Sequence, residues 1–94
     1  MEQKKWELHT IKKVIATSKY ELICTFENEV VKTYDFKPLL KKNGSMLDPL
    51  RSVDYFKKVF LEMGVPTWPN GYDVCADVIY MEGKAVKQMK KPAA

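Results

Sequence analysis

Histidine is almost absent from this 94-residue chain, His9 being the only one. Without a second imidazole there is no His-pair metal site, and no serine or cysteine has an evident base partner. Cysteine is scarce as well. Cys24 and Cys75 lack the C-x-x-C spacing of a redox or zinc site, so both are expected to be reduced and buried as small hydrophobes. The four glycines stand apart at positions 44, 64, 71 and 83, which excludes a phosphate-cradling loop. No apolar run approaches the ~20 residues that span a bilayer. The segment from Met1 to Trp6 also lacks the apolar core of a signal peptide, so the expected location is cytoplasmic. Neither repeats nor low-complexity stretches interrupt the chain.

A strong charge imbalance is missing too, despite a formal net charge of +4. All twelve acidic residues and twelve of the sixteen basic ones fall within residues 1–83, which leaves that body neutral. The excess comes from Lys84, Lys87, Lys90 and Lys91. The expected organisation is therefore one domain over residues 1–83 and a basic tail over 84–94, the length being too short for two cores. A lysine tail of this kind reads as a solvated terminus, with a salt-sensitive phosphate-contacting arm as the alternative.

What is present is a period-two pattern. Tyr20, Leu22, Cys24 and Phe26 alternate with Glu21, Ile23, Thr25 and Glu27, which makes one largely apolar strand face. Ile11 to Thr17 before it is rich in β-branched residues, and Val30 to Phe36 after it reads as a third strand. The second connection is Glu27-Asn28-Glu29, with Asn28 the residue best suited to positive φ. Two registers stay open: a two-residue loop sets Phe26 opposite Val31, and a three-residue loop sets it opposite Val30. Pro38 starts a helical turn that carries Leu39 and Leu40 inward and ends at Gly44. Val53, Phe56, Val59, Phe60 and Met63 fall at helical spacing behind an N-cap at Ser52, with Gly64 closing that helix. Val65 to Trp68 is expected to be extended because residues before proline avoid the α region. Asp73 is expected to cap a last short helix that carries Val78, Ile79 and Tyr80. The fold class is α+β: a small antiparallel sheet, a three-stranded meander plus a further short strand, with two or three short helices packed on it.

The sequence Thr67-Trp68-Pro69-Asn70-Gly71-Tyr72-Asp73 fixes its own shape through a rigid φ, an αL-tolerant Asn and a glycine. Its ordinary reading is a structural turn. Trp68, Tyr72 and Arg51 are also residue types that dominate interfaces. The expected interaction surface is thus Trp68, Asn70, Tyr72, Asp73 and Arg51, with Trp68 either plugging the core beside Phe56 and Phe60 or standing exposed as an anchor. Asp73 and Asp77 could share a helical face as an acid–base pair, but the cap explains Asp73 without chemistry. The aromatics and lysine pairs could offer a nucleic-acid surface, but a neutral body and core-facing spacings argue against it. No catalytic residue, metal or cofactor is expected.

Several short motifs occur in a telling order: Leu22 with Phe26, Asp35, Pro38-Leu39-Leu40, Pro49-Leu50-Arg51, Phe56 and Trp68-Pro69-Asn70-Gly71-Tyr72-Asp73. In that order, and with Val78-Ile79-Tyr80 following, the chain resembles the small bacterial family known as domain of unknown function 2442. The resemblance covers residues ~10–82. One departure is the hairpin turn, where the family usually has Asp-Gly and this chain has Asn28-Glu29. A tight turn would force Glu29 to positive φ, so a looser loop is expected. The resemblance implies an α+β fold and no particular activity. Some relatives are fused to helix-turn-helix domains, and others sit beside a second small protein in a toxin–antitoxin-like arrangement. The expectation is a non-enzymatic regulatory or interaction module, antitoxin-like, whose partner is a protein encoded nearby or a second copy joined through a strand edge. The alternative is a nucleic-acid-associated protein acting through the lysine tail. No membrane partner is expected.

Overall fold

The computed structural model describes residues 9–86. Three strands, β1 (Ile11–Ala16), β2 (Glu21–Phe26) and β3 (Val31–Asp35), form the expected antiparallel meander. Alternation along β2 sends Leu22, Cys24 and Phe26 into the core, all three fully or almost fully buried. Pairing sets Val14 beside Cys24, Ala16 beside Leu22, and Tyr34 on the other side of Leu22, so one face of the sheet is covered. A register shift between Ile11 and Lys13 and the lysines 12 and 13 break up the outer edge of β1, devices that discourage strand addition. The further strand is β6 (Lys84–Ala85), which pairs with β3. It draws the first two residues of the expected tail into the sheet; Lys87, Lys90 and Lys91 lie outside the described residues.

One turn geometry recurs at three places. In each, a residue donates its N–H to the carbonyl four positions on, while the N–H three positions on donates back to it. The anchors are Thr17, Phe26 and Trp68, with bonds of 2.8–3.2 Å. The third loop residue takes positive φ each time: Tyr20 at 62°, Glu29 at 74° and Gly71 at 93°. This is the three-residue hairpin loop, a type I turn followed by a left-handed residue. Phe26 therefore faces Val30, and the two-residue register is excluded. The left-handed position falls on Glu29 rather than Asn28, whose side-chain oxygen instead accepts the Val30 N–H at 3.1 Å.

Helix α1 (Lys37–Leu40) carries Pro38 in its first turn, one residue after its start, and stops before Gly44. A 3₁₀ turn (Pro49–Arg51) buries Leu50 and leads into α2 (Val53–Phe56). The helix expected over Val53 to Met63 is corrected here. Ser52 does stand at the N-cap position, though its side chain makes no capping bond, and the helix ends at Phe56. The chain then forms a hairpin of β4 (Phe60–Glu62) and β5 (Val65–Thr67). Its two-residue loop, Met63-Gly64, has φ of 54° and 79°, the double positive of a type I′ turn. Leu61 and Pro66 face the core, whereas Phe60 and Met63 do not. A Cβ on Gly64 would come within 2.4 Å of the Thr10 methyl, so only glycine fits there. Helix α3 (Ala76–Glu82) packs Ile79 against the sheet, and Gly83 leads into β6.

The repeated turn predicts opposite effects of two substitutions. Glu29→Gly should raise the unfolding free energy by about 0.5 kcal/mol, because relief of the left-handed φ outweighs the lost surface pair with Lys12. Gly71→Ala should lower it by about 1–2 kcal/mol through the backbone alone, since the added methyl would meet only the Met46 methyl at 3.8 Å. Urea unfolding of the two variants checks both signs.

Candidate functional site

Trp68 directly follows β5, and it is 0% exposed. Its indole N–H donates to the Phe56 carbonyl at 2.8 Å, a buried bond across twelve residues. That carbonyl belongs to the last residue of α2, where the helix itself supplies no donor. The indole packs against Phe36, Phe56 and Tyr72 at ring distances of 5.2, 5.8 and 6.0 Å. Phe60, the other expected neighbour, is 42% exposed and lies outside the core. Of the two readings of Trp68, the core is correct, and it offers no surface to a partner.

Three of the other four expected surface residues are engaged internally. Arg51 donates from Nε to the Leu40 carbonyl at 3.1 Å and from Nη2 to the Lys42 carbonyl at 2.7 Å, and pairs with Asp48. Its guanidinium thus ties the end of α1 to the 3₁₀ turn, and its own carbonyl accepts from the Tyr20 hydroxyl. Asn70 donates to the Met46 carbonyl at 3.0 Å and accepts the Tyr72 N–H at 3.1 Å, which closes the turn. Tyr72 is half-buried against Trp68 and Phe36; burial, with Asp73 adding, pushes its hydroxyl pKa up. Only Asp73 is free on the surface. It is not the helix cap that the sequence suggests: it bridges to Thr67, and the N-cap position belongs to Cys75. The expected surface is therefore mostly an architectural corner.

A second cluster has no sequence signature, since its members lie 68 residues apart. His9 stacks on Tyr80 at 3.8 Å and places Nδ1 2.8 Å from an Asp77 carboxylate oxygen, which also accepts the His9 backbone N–H. The side-chain bond from His9, and then the backbone one, holds the Asp77 carboxyl below its ordinary range. Phe26 meets Tyr80 edge-on and Lys32 lies over its ring, 5.1 Å from the centroid. His9 is thereby half-buried rather than a free surface residue, and it fastens the start of the described chain to α3. Asp77 bonds to His9 instead of pairing with Asp73.

Two further surfaces stand out among the described residues. A groove of about 480 Å³ runs beside β3, with Tyr34, Pro38 and Leu39 among Glu21, Asp35, Glu82, Lys42 and Lys84. Burial, with Glu82 adding, pushes the Tyr34 hydroxyl pKa up. The backbone N–H and then the ammonium of Lys37 hold Asp35 low. Its walls mix both charge signs around three apolar residues, unlike the apolar linings of small-molecule sites. The other surface is the outer face of the β4–β5 hairpin. Phe60 pairs with Thr67 and Glu62 with Val65 on that face, beside Asp73. Met63 at the tip is 93% exposed and stands between two shallow depressions that share Met63 and Val65. Glu62 and Asp73 border one; His9, Cys75 and Asp77 border the other. No lysine or arginine appears among their described lining residues. Among the described residues, no group of three or more His, Cys, Asp or Glu could hold a metal ion. No described helix is long and apolar enough to cross a membrane.

The two cysteines divide sharply, and the expectation that both are buried holds for one. Cys24 is buried in β2 and its thiol pKa is pushed up to about 12 by that burial, while Cys75 is exposed. Iodoacetamide at about pH 8 should give one adduct per folded chain, on Cys75, with Cys24 reacting only after denaturation. Peptide mass mapping reads the outcome.

No curated protein and no solved structure matches the chain. The family described as "Protein of unknown function (DUF2442)" matches residues 11–85. That span runs from the first residue of β1 to the last of β6 and takes in both the Trp68 corner and the β4–β5 hairpin. The chain belongs to the DUF2442 family.

Proposed function

We propose that this chain is a non-enzymatic protein-interaction module and that its contact surface is the outer face of the β4–β5 hairpin. The observation that carries the reading is the pair of large apolar side chains on that face, Phe60 partly and Met63 almost wholly exposed. Packing does not require them there, because Leu61 and Pro66 serve the core from the same two strands. Apolar side chains grouped on one exposed face beside polar ones are the usual mark of a partner-binding patch. A regulatory, antitoxin-like pairing with a second small protein is the form of this reading that the family resemblance suggests. Strand addition at β1 is a weaker form, given its bulge and lysine pair.

Phe60→Ser tests the proposal without disturbing the core, since that side chain lies outside it. Affinity capture in the native host should recover a stoichiometric partner with the wild-type chain and lose it with Phe60→Ser, while circular dichroism stays unchanged. Equal recovery by both proteins, or no partner with either, would contradict the proposal.

A further inference from the structure

Resting on the reading of the β4–β5 face as an interface, we infer that its partner presents an extended basic segment in which lysines alternate with apolar residues. The apolar part of the argument starts at Met63. A two-residue type I′ loop asks for Asn, Asp or Gly at its first position, and Met63 occupies it at φ 54° with its side chain 93% exposed. Neither the backbone nor the core gains from methionine there. A flexible apolar side chain at the crest of two depressions is suited to adapt to an incoming apolar surface, as exposed methionines do at binding faces. Phe60 and Val65 extend the apolar strip along the hairpin.

Charge complementarity selects the occupant. Glu62 and Asp73 border the strip on one side of Met63 and the hydrogen-bonded His9–Asp77 pair on the other, and no lysine or arginine appears among the described lining residues. An acidic partner would meet like charge from Glu62 and Asp73. A basic partner is repelled by the chain as a whole, whose net charge is +4, so attraction is local to this face. An extended segment places alternate side chains on one side, which matches apolar anchors along a β-hairpin. Its lysines are long enough to lay their stems on the strip and reach the carboxylates at the border.

The probe is a synthetic amidated octapeptide of alternating lysine and leucine, titrated into the ¹⁵N-labelled full chain, with a glutamate–leucine octapeptide as control. The lysine peptide should shift the amide resonances of Glu62, Met63, Val65, Thr67 and Asp73, and the effect should fade with added salt; the glutamate peptide should not. Met63→Asn, which supplies the preferred turn residue, should raise the thermal midpoint by about 2–4 °C. The same substitution should weaken the lysine peptide at least about tenfold, whereas Met63→Leu should retain its binding. A falling midpoint in Met63→Asn would give Met63 a structural task and overturn the inference, as would unchanged binding by that variant. Equal binding of the glutamate peptide at the same face would overturn the basic assignment while leaving the face an interface. Shifts confined elsewhere, or none with either peptide, would overturn the occupant; the interface itself is then judged by the Phe60→Ser capture.

Discussion

The hydrogen bond from the Trp68 indole to the Phe56 carbonyl is the constraint on which the second half of this fold depends. A buried N–H without an acceptor costs about 1–3 kcal/mol, and the carbonyl at a helix end needs a donor just as much. One bond satisfies both groups, and its geometry sets where α2 stops relative to β5. The ring that carries the donor also fills the space between Phe36, Phe56 and Tyr72, so the sheet, the short helix and the hairpin share one aromatic cluster. The turn that follows is fixed from the same residue. The Trp68 N–H and carbonyl pair with Tyr72 and Gly71, and Asn70 reaches across to Met46. Arg51 closes the opposite side by holding the carbonyls of Leu40 and Lys42. Residues that look like an interface by type are thus the struts of a domain whose helices are too short to stand alone.

The meander was legible because β2 alternates strictly and its neighbours are β-branched, so period two and propensity agree. The loop at Glu27-Asn28-Glu29 was legible in position but not in register, since local turn chemistry preferred Asn28 for a conformation that Glu29 adopts. The stretch from Val53 to Met63 misled for a definite reason. Its helical spacing counted Phe60 and Met63 as core residues and left out Leu61, which is the one that packs inward. An apolar residue kept on the surface looks, in one sequence, like an apolar residue of the core. Gly64 and Pro66 carry the opposing signal, a tight turn followed by an extended segment, but a glycine after an apolar helical pattern equally suits a helix end.

The same ambiguity between surface and core apolar residues conceals the candidate site in the sequence. Five residues were expected at a shared surface, and Trp68, Arg51, Asn70 and Tyr72 are committed to packing or backbone hydrogen bonds, which leaves Asp73. Phe60 and Met63, two of the apolar side chains that the fold leaves exposed, fall at helical spacing in the sequence and so resemble a helix interior. Places where local rules are broken without a structural gain are where function is to be sought. The His9 cluster is illegible for another reason: contact between the segment before β1 and α3 is set by the tertiary fold, with no local spacing to announce it.

Hydrogen exchange of the Trp68 indole N–H tests the central role of that side chain most directly, with its resonance assigned through a Trp6→Phe variant. If the bond to Phe56 is the keystone, this proton exchanges only on global unfolding, with a protection free energy equal to that from the slowest β2 amides. Exchange orders of magnitude faster than those amides would mean that the corner opens while the sheet stays folded, and would contradict the account.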